Sequence, residues 1–461
     1  MAMNGVTLNR PKPNVIAVIG GAWGDEGKGK ITSRFTKDAE ITARGTGGAN
    51  AGHTVVFDGK KIPLHLTPSG IVYPGKRTII GQGVVLDPVV LMQEIEDLEK
   101  LDVPNVRGRL AISNRAHIVF PFHKDLDELY ERLKKNPIGT TRRGIGPCYS
   151  DKDHRIGIRA ESLTLSVPEL QELIEEQVLL HNQNFKNNGM PEAVVDARKL
   201  AEIYHEYGMQ IKDMLVNGDE YMAKACDEGL KIVLEGAQAY RLDKDFGDYP
   251  DCTSSNCVTD GALIGAHLNH QNLLLTIEVL KAYCSRVGNG VFPTEQPAHV
   301  KDNKVLDYDE RDIFVGDLIR EKGFEYGATT KRPRRCGWFD AVITRTSRQA
   351  NGPDLLCINH LDTLGEIGNI LGYVKMCVEY EYMGERIRTF PDNLNVTKQT
   401  PIPIYREFEG GWTINPDMKE YDDLPDKAKE FIQAIEEETG IPVGFIGTGP
   451  DNEDLITRFT P

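Results

Sequence analysis

The chain has 461 residues, 40% of them hydrophobic and 27% charged, with a formal net charge of −15. That length and composition support one large buried core or a few ordinary ones, and exclude a disordered chain. The acidic balance excludes a general nucleic-acid binder, which needs a basic face, but leaves room for a small anion held by local arginines.

In chain order, MAMNGVTLNRPKP lacks a hydrophobic signal core, and residues 1–13 read as a disordered leader. Nothing marks the chain for secretion, and no apolar run approaches the roughly 20 residues that cross a bilayer, so a cytoplasmic setting is expected. A strand over Val15–Ile19 leads into GGAWGDEGKGKITSRF, residues 20–35. Strand, glycine turn and helix in that order suggest a phosphate cradle, because N–H groups at a helix start bind anions and glycines let the main chain approach. The spelling departs from the common nucleotide loop. Five residues separate Gly21 from Gly27, Gly29 stands where a magnesium-binding hydroxyl belongs, and Asp25 sits in the middle. Asp25 offers two functional roles, magnesium ligand or general base, and one structural role, helix N-cap. Lys28 and Lys30 supply charge.

RGTGGANAGHTVV, residues 44–56, crowds Gly45, Gly47, Gly48 and Gly52 beside Asn50, His53 and Thr54. Ordering so many glycines costs entropy, and close approach of the backbone to a ligand explains it. His53 is a candidate general acid or charge stabiliser. Strands are expected at Arg77–Ile80 and Ala116–Phe120, and helices at Pro88–Lys100 and Lys124–Lys135. IGTTRRGIGPCYSDKDHR, residues 138–155, then sets arginines among threonines and glycines. Helical patterns over Pro168–Asn187 and Ala193–Asn217 fill most of a span, 168–230, expected as a helical subdomain beside the sheet.

Further strands are expected at Ile232–Leu234, Leu273–Val279, Ala341–Thr344, Asp354–Ile358, Tyr373–Tyr380 and Val443–Gly447, with a helix at Leu424–Glu438. EYEYMGERIRTFP reads as a hairpin turning at Met383–Gly384. YGATTKRPRRCGWFD, residues 326–340, sets Lys331, Arg332, Arg334 and Arg335 beside Thr329 and Thr330, a pattern suited to carboxylates and phosphates. INHLDTLGE contains an N-x-x-D tetrad whose aspartate suits the guanine edge, and IGTGPDNED is a late glycine turn after a strand. The eight cysteines are mostly isolated, without zinc-like spacing, and read as reduced thiols. Short strands alternating with helices make this an α/β chain with a large, mainly parallel central sheet, and 14–461 is expected to be a single domain. Ligands then collect on loops at the carboxyl ends of the strands.

Together these residues resemble one family, adenylosuccinate synthetase, nearly end to end from about Asn14 to Phe459. WGDEGKGK, GGANAGHTV, IGTTRRGIGP, EGAQ, TSSN, KAYCSRVGNGVFPTE, GATTKRPRRCGW and TGPD occur in the family's order. The resemblance implies a P-loop-like GTP-binding architecture. It implies a GTP-dependent ligase joining IMP and L-aspartate into adenylosuccinate, with GDP and phosphate released through a 6-phosphoryl-IMP intermediate. Asp25 would take the N1 proton and His53 would act as acid, with Lys28 and Gln238 beside them. Gly24, Asp25, Glu26, Gly27, Lys28, Gly29, Lys30, Gly52, His53 and Thr54 would surround the GTP phosphates, with Arg334 nearby. His360, Leu361, Asp362, Gly447, Thr448 and Gly449 would hold guanine. IMP would meet Asp25 to Lys28, Asn50, Ala51, Gly52, His53, Thr141, Arg155, Gln238, Thr253, Val287 and Arg332. The aspartate would lie on Ala328, Thr329, Thr330, Lys331, Arg332, Pro333 and Arg334. One Mg²⁺ per subunit would sit on Asp25 and the Gly52 carbonyl. A homodimer is implied, with Arg155 reaching the partner's site, and neither nucleic acid nor membrane is a partner.

The chain departs from the family pattern where His360 replaces a common lysine, where Lys331 and Arg142 replace glycines, and through the run 239–253. An alternative is therefore the same chemistry on another 6-oxopurine nucleotide such as dGMP, as in phage relatives, with ATP or dATP as donor. A GTP-binding switch without ligase activity is a further alternative, but it leaves His53 and the arginine–threonine loops without a purpose.

Overall fold

The computed structural model describes residues 12–57, 60–286, 288–298, 300–301, 304–305, 314–327 and 332–459. Its spine is a ten-stranded sheet. In chain order the strands are β1 (Val15–Gly20), β2 (Ile41–Arg44), β3 (Arg77–Ile80), β4 (Leu110–Ser113), β5 (Leu215–Val216), β6 (Ile232–Glu235), β7 (Leu273–Lys281), β8 (Leu355–Asn359), β9 (Val443–Gly447) and β10 (Leu455–Thr457). They lie in the order β10-β9-β8-β7-β1-β6-β2-β3-β4-β5, and all pair in parallel except β10, which runs antiparallel to β9. The large, mainly parallel sheet expected of the chain is present. The inner strands VIAVIG, LLCIN and VGFIG are buried almost throughout, as strands covered on both faces must be.

Register brings the carboxyl ends to one edge. Val18 lies opposite Glu235, Glu235 opposite Arg44, Arg44 opposite Ile80, Gly20 opposite Val279 and Lys281 opposite Asn359. The loops leaving β1, β2, β6, β7, β8 and β9 therefore open at a common rim, where α/β sheets bind ligands.

The helices used below are α1 (Lys28–Thr36), α2 (Pro88–Lys100), α3 (Pro121–Leu133), α4 (Ile145–His154), α5 (Val167–Asn187), α6 (Ala197–Ile211), α7 (Thr259–Gly265), α8 (Val315–Gly323), α9 (Ala341–Asn351), α10 (Leu361–Leu371) and α11 (Asp426–Thr439). Asp87 caps α2 by accepting from Val89 N and Val90 N, with Pro88 fitting the first turn. The span 168–230 is mostly helical, but Leu215–Val216 leaves it to pair with β4 as the edge strand β5. A second sheet joins Tyr283–Arg286, Arg335–Asp340, Tyr373–Tyr382, Glu385–Ile387 and Ile402–Glu409. The hairpin at Met383–Gly384 forms with both turn residues at positive φ. Of the strand expected at Ala116–Phe120, only His117–Ile118 pairs, against Val85–Leu86.

One assignment is corrected. Ala341–Thr344 is the first turn of α9, not a strand. The strand ends at Asp340, whose carboxylate accepts from Val342 N and Ile343 N at 3.1 and 3.2 Å and so starts a helix. A short β-branched run cannot separate the two states by itself.

Glu278 on β7 is fully buried and accepts from Ser347 Oγ at 2.6 Å and Asn351 Nδ2 at 2.9 Å, both on α9. Burial, opposed only by those neutral donors, pushes its carboxyl up to about 7. The native state thus keeps a proton that the unfolded chain has released, and stability falls as pH rises from the ordinary 4.5 towards 7. Above that window the cost is on the order of 3 kcal/mol. Glu278→Gln is expected to raise the melting temperature at pH 8 and give no gain at pH 4; an equal shift at both values counts against this ionisation.

Candidate active site

β1 delivers Gly20 to a loop that folds around its own carboxylate. Glu26 is buried and accepts from Gly24 N at 2.7 Å, Ala22 N at 3.3 Å and Lys28 Nζ at 2.9 Å. The turn needs positive φ at Gly24, Asp25 and Gly27 (93°, 60° and 87°). Asp25 pays that strain without capping the helix, because the N-cap of α1 is Gly27 and no side chain caps it. The structural role considered for Asp25 is thus set aside. Its carboxylate, 41% exposed, lies 2.8 Å from Arg334 Nη2. No side chain caps the start of α1, the kind of helix end that suits an anion.

The two lysines have separate partners. Lys28 pairs with Glu26, whereas Lys30 Nζ donates to the carbonyls of Gly449 at 2.7 Å and Asp454 at 2.8 Å. Lys30 thereby ties the turn Gly447, Thr448, Gly449 to the phosphate loop. Asn359 Nδ2 does the same for the β8 end, donating to Glu26 O at 2.8 Å. Beyond it, His360 is the N-cap residue of α10 with φ 61°, followed by buried Leu361 and part-buried Asp362. Burial, reinforced by the Lys281 charge, lowers the His360 pKa to about 4, so its ring is neutral. Burial raises the Asp362 carboxyl.

His53 opens the strand His53–Phe57, and its Nδ1 bonds to Glu235 at the end of β6. Glu235 also accepts from Ser69 N at 2.8 Å. Burial favours neutral Glu235, but His53 and Arg44 outweigh it and hold the carboxyl low. An ionised Glu235 fixes the Nδ1–H tautomer and leaves Nε2 as the working nitrogen. Thr54 follows in the same strand. Gln238 adopts φ 56°; its Oε1 accepts from Ser255 Oγ at 3.4 Å, while its buried Nε2 has no partner. Asn50 Oδ1 accepts from Gly48 N at 3.2 Å and fixes the turn that carries Ala51 and Gly52.

The glycine loop was expected to crowd against a ligand, and only part of it is free to do so. A Cβ on Gly45 would collide with Ala262 O of α7, and one on Gly48 would lie 2.8 Å from Val85 O. Those two glycines serve packing, Gly45 against α7 and Gly48 against Val85. A Cβ on Gly52 would meet nothing within 4 Å.

α4 docks on this loop: Tyr149 Oη donates to Gly83 O at 2.6 Å and accepts from Gly47 N at 3.1 Å. Thr141 before α4 and Arg155, its C-cap at φ 66°, are exposed. No hydrogen bond or ion pair among the described residues joins them to Asp25, His53 or Gln238. α4 is anchored at Asp151, whose Oδ2 accepts from His123 Nε2 (3.0 Å), Gln177 Nε2 (2.9 Å) and His181 Nε2 (2.8 Å). This trio resembles a metal site, but His123 Nδ1 already accepts from Phe120 N at 2.9 Å, which puts the ring proton on Nε2. It is a hydrogen-bonded anchor. Burial would raise the Asp151 carboxyl, yet the two histidines bring it down to about 2.

Of the remaining candidates, Thr253 N bonds to Leu242 O at 2.8 Å, and Pro333 forms a bridge with Tyr326 beside exposed Arg332. Ala328, Thr329, Thr330, Lys331 and Val287 lie outside the described residues. Sequence reasoning missed the carboxylates behind the site. Glu325 holds Arg334, and Asp248 receives Arg241, Arg286 Nη1 (2.5 Å) and the indole of Trp23 (3.1 Å). Acids in loops give no periodic signal, and nothing in sequence separates Asp248 from its neighbours Asp243, Asp245 and Asp251.

A family model described as adenylosuccinate synthetase matches residues 17–456. The adenylosuccinate synthetase of Acetivibrio thermocellus is 44% identical over 448 residues, covering 95% of this chain and 98% of the relative. That of Caldanaerobacter subterraneus is 42% identical over 96% and 99%. A solved structure of fully ligated adenylosuccinate synthetase from Plasmodium falciparum aligns with TM-score 0.86 and 36% identity, over 97% of this chain and all of that one. The succinoaminodeoxyadenylate synthetase of cyanophage S-2L, bound to dGMP and dATP, aligns at 0.57 with 19% identity over 97% and 96%, a likeness of fold alone.

The two glycine environments separate by substitution. Gly45→Ala is expected to cost at least about 3 kcal/mol in urea unfolding, since backbone must move. Gly52→Ala is expected to stay within about 0.5 kcal/mol of the parent. Equal costs would show that the loop does not divide this way.

Proposed function

The chain belongs to the adenylosuccinate synthetase family, and on that premise we propose how its residues join IMP and L-aspartate with GTP, releasing adenylosuccinate, GDP and phosphate. The observation that carries the assignment of roles is the meeting of Asp25 and Arg334, 2.8 Å apart, which brings the phosphate loop and the arginine–threonine loop to one point. A carboxylate at the mouth of an uncapped helix start is poorly placed to bind phosphate and well placed to accept a proton beside it.

In this reading Asp25 takes the proton from purine N1, O6 attacks the γ-phosphorus, and the bond to the GDP oxygen breaks. His53, oriented by Glu235, donates through Nε2 to the transferring phosphoryl group. The amine of aspartate then attacks C6, and phosphate leaves with the O6 oxygen. Each step depends on fixed placement and charge stabilisation. The unpartnered Gln238 Nε2 is a ready donor to the purine. GTP lies along Gly24 to Lys30 and Gly52 to Thr54, with guanine between 360–362 and 447–449. Arg332 and Arg334 take the anionic groups of IMP, aspartate or GTP.

Asp25 and the Gly52 carbonyl are hard oxygen donors, and the half-exposed carboxylate and the open space at Gly52 would suit Mg²⁺, which these two groups would hold. When bound, the ion neutralises charge on the phosphate oxygens. The exposure of Arg155 at the C-cap of α4, with no hydrogen bond or ion pair to Asp25 among the described residues, supports its use across a homodimer interface. No described helix is long and apolar enough to cross a membrane.

The test is phosphate release from GTP that requires both IMP and aspartate, followed with the absorbance of the succinyl adduct. A panel of IMP against dGMP and GTP against ATP reads the base preferences, and turnover with dGMP alone would overturn IMP as substrate. Asp25→Asn is expected to lose roughly 10²–10⁴-fold in kcat while retaining IMP binding; normal turnover would remove Asp25 as the base.

A further inference from the structure

Arg334 faces two carboxylates of different character. Nη1 donates to Glu325 Oε2 at 2.8 Å, and Nη2 lies 2.8 Å from Asp25 Oδ2. Glu325 is 1% exposed, and its Oε1 also accepts from Lys281 Nζ at 2.5 Å and Tyr283 Oη at 2.7 Å. Lys281 ends β7 and donates as well to Ser285 Oγ at 2.9 Å. The backbone reinforces the pair: Arg334 N bonds to Glu325 O at 2.9 Å and Gly327 N to Arg332 O at 2.8 Å, so Glu325 and Arg334 close the base of a narrow stem. Burial alone would raise the Glu325 carboxyl, but Lys281 and Arg334 hold it at about 2.

The Asp25 end is the weaker one. Asp25 is 41% exposed, and a solvent-exposed ion pair is worth about 0–1 kcal/mol, so it exchanges readily. The Glu325 end is desolvated and shared with a lysine, so breaking it leaves charges buried without partners. Arg334 Nε is buried and meets no acceptor. The guanidinium is thus fixed at one edge and offers Nε and Nη2 at the other.

We propose that Glu325 is a positioning residue for the ligase reaction: it clamps one edge of Arg334, so that the other edge passes from Asp25 in the resting protein to a carboxylate or phosphate of the bound substrates. This rests on the reading of Asp25 as the base. Transfer of Arg334 to a substrate anion releases the Asp25 carboxylate from its ion pair as the purine arrives. Without the clamp, Arg334 follows Asp25, and both the base and the anion site are lost together.

Three proteins test this: the parent, Glu325→Gln, and Lys281→Met with Glu325→Gln. The single variant is expected to lose roughly ten- to hundredfold in kcat and to raise the aspartate KM, with IMP affinity by calorimetric titration within about threefold of the parent. It also leaves Lys281 buried without its partner and so lowers stability. The double variant removes that orphan charge, and it is expected to recover melting temperature while turnover stays low. Recovery of turnover along with stability overturns the proposal, because Glu325 would then act through folding alone. Parent-like kcat and aspartate KM in the single variant overturn it too. If the single variant does not fold, the double variant decides, and a double variant that also fails to fold makes the cluster a structural requirement and overturns the positioning role. A parent without aspartate-dependent phosphate release sinks the functional reading instead, a result the variants do not produce.

Discussion

Arg334 sits between the two sheets of the molecule, and its ion pairs set how the rim of the large sheet meets the loop of the small one. Asp25 hangs on the turn after β1, while Arg334 immediately precedes the small-sheet strand Arg335–Asp340. Glu325 and Lys281 extend the chain of charges back to the end of β7. A buried charge chain of this kind gives little net stability, because desolvation offsets most of the attraction. What it supplies is geometry, since every member has few alternative partners in a low-dielectric interior.

The buried carboxylates around the rim are chemically the same group in different states, and the partners decide which. Glu325 has two cations and a phenol and is held at about 2; Glu278 has a hydroxyl and an amide and rises to about 7. Glu235 has His53 and Arg44 and stays low. The ionised members orient a cation or fix a tautomer: Glu325 holds Arg334 and Lys281, and Glu235 holds His53. Glu278, under the loop that Gly21 begins, is protonated below about pH 7 and adds no repulsion to incoming phosphate in that range.

Six strands of the central sheet, β1, β3, β6, β7, β8 and β9, were legible as apolar runs, whereas Ile41–Arg44, Leu110–Ser113, Leu215–Val216 and Leu455–Thr457 raised no expectation of a strand. The glycine loops stood out as candidate sites because they break that pattern after strands, and the two arginine–threonine runs stood out by composition alone. Ala341–Thr344 was misread because the deciding signal was one residue upstream, the cap Asp340. The edge strand Leu215–Val216 was hidden inside a helical stretch because two residues cannot show a period. Glu325 and Asp248 could not be found from sequence: their importance lies in partners such as Lys281, 44 residues away, and Arg286, 38 residues away. The glycines of Arg44–Val56 show the converse limit. Their density was a true signal, but Gly45 answers to α7 and only Gly52 faces open space.

The departure at His360 has a physical consequence for the proposed guanine pocket. Residue 360 lies close enough to Lys281 and Arg334 for both charges to depress its ionisation, on top of its burial. A lysine there would add a third cation to that group; a neutral imidazole adds none. The His360 ring lies 5.5 Å from the Tyr283 ring and 3.3 Å, through Nδ1, from Thr363 Oγ1. On the proposed reading it offers a base an uncharged ring face in place of a charged stem. On the proposed reading, discrimination between purine bases then shifts from the face to the edge, where Asp362, in the first turn of α10, is the acceptor. Burial raises that carboxyl, so a donor edge that meets it also stabilises its charged form. On the same reading, a base without two N–H donors at that edge would leave the part-buried Asp362 without that partner, and that penalty, rather than stacking, would select guanine.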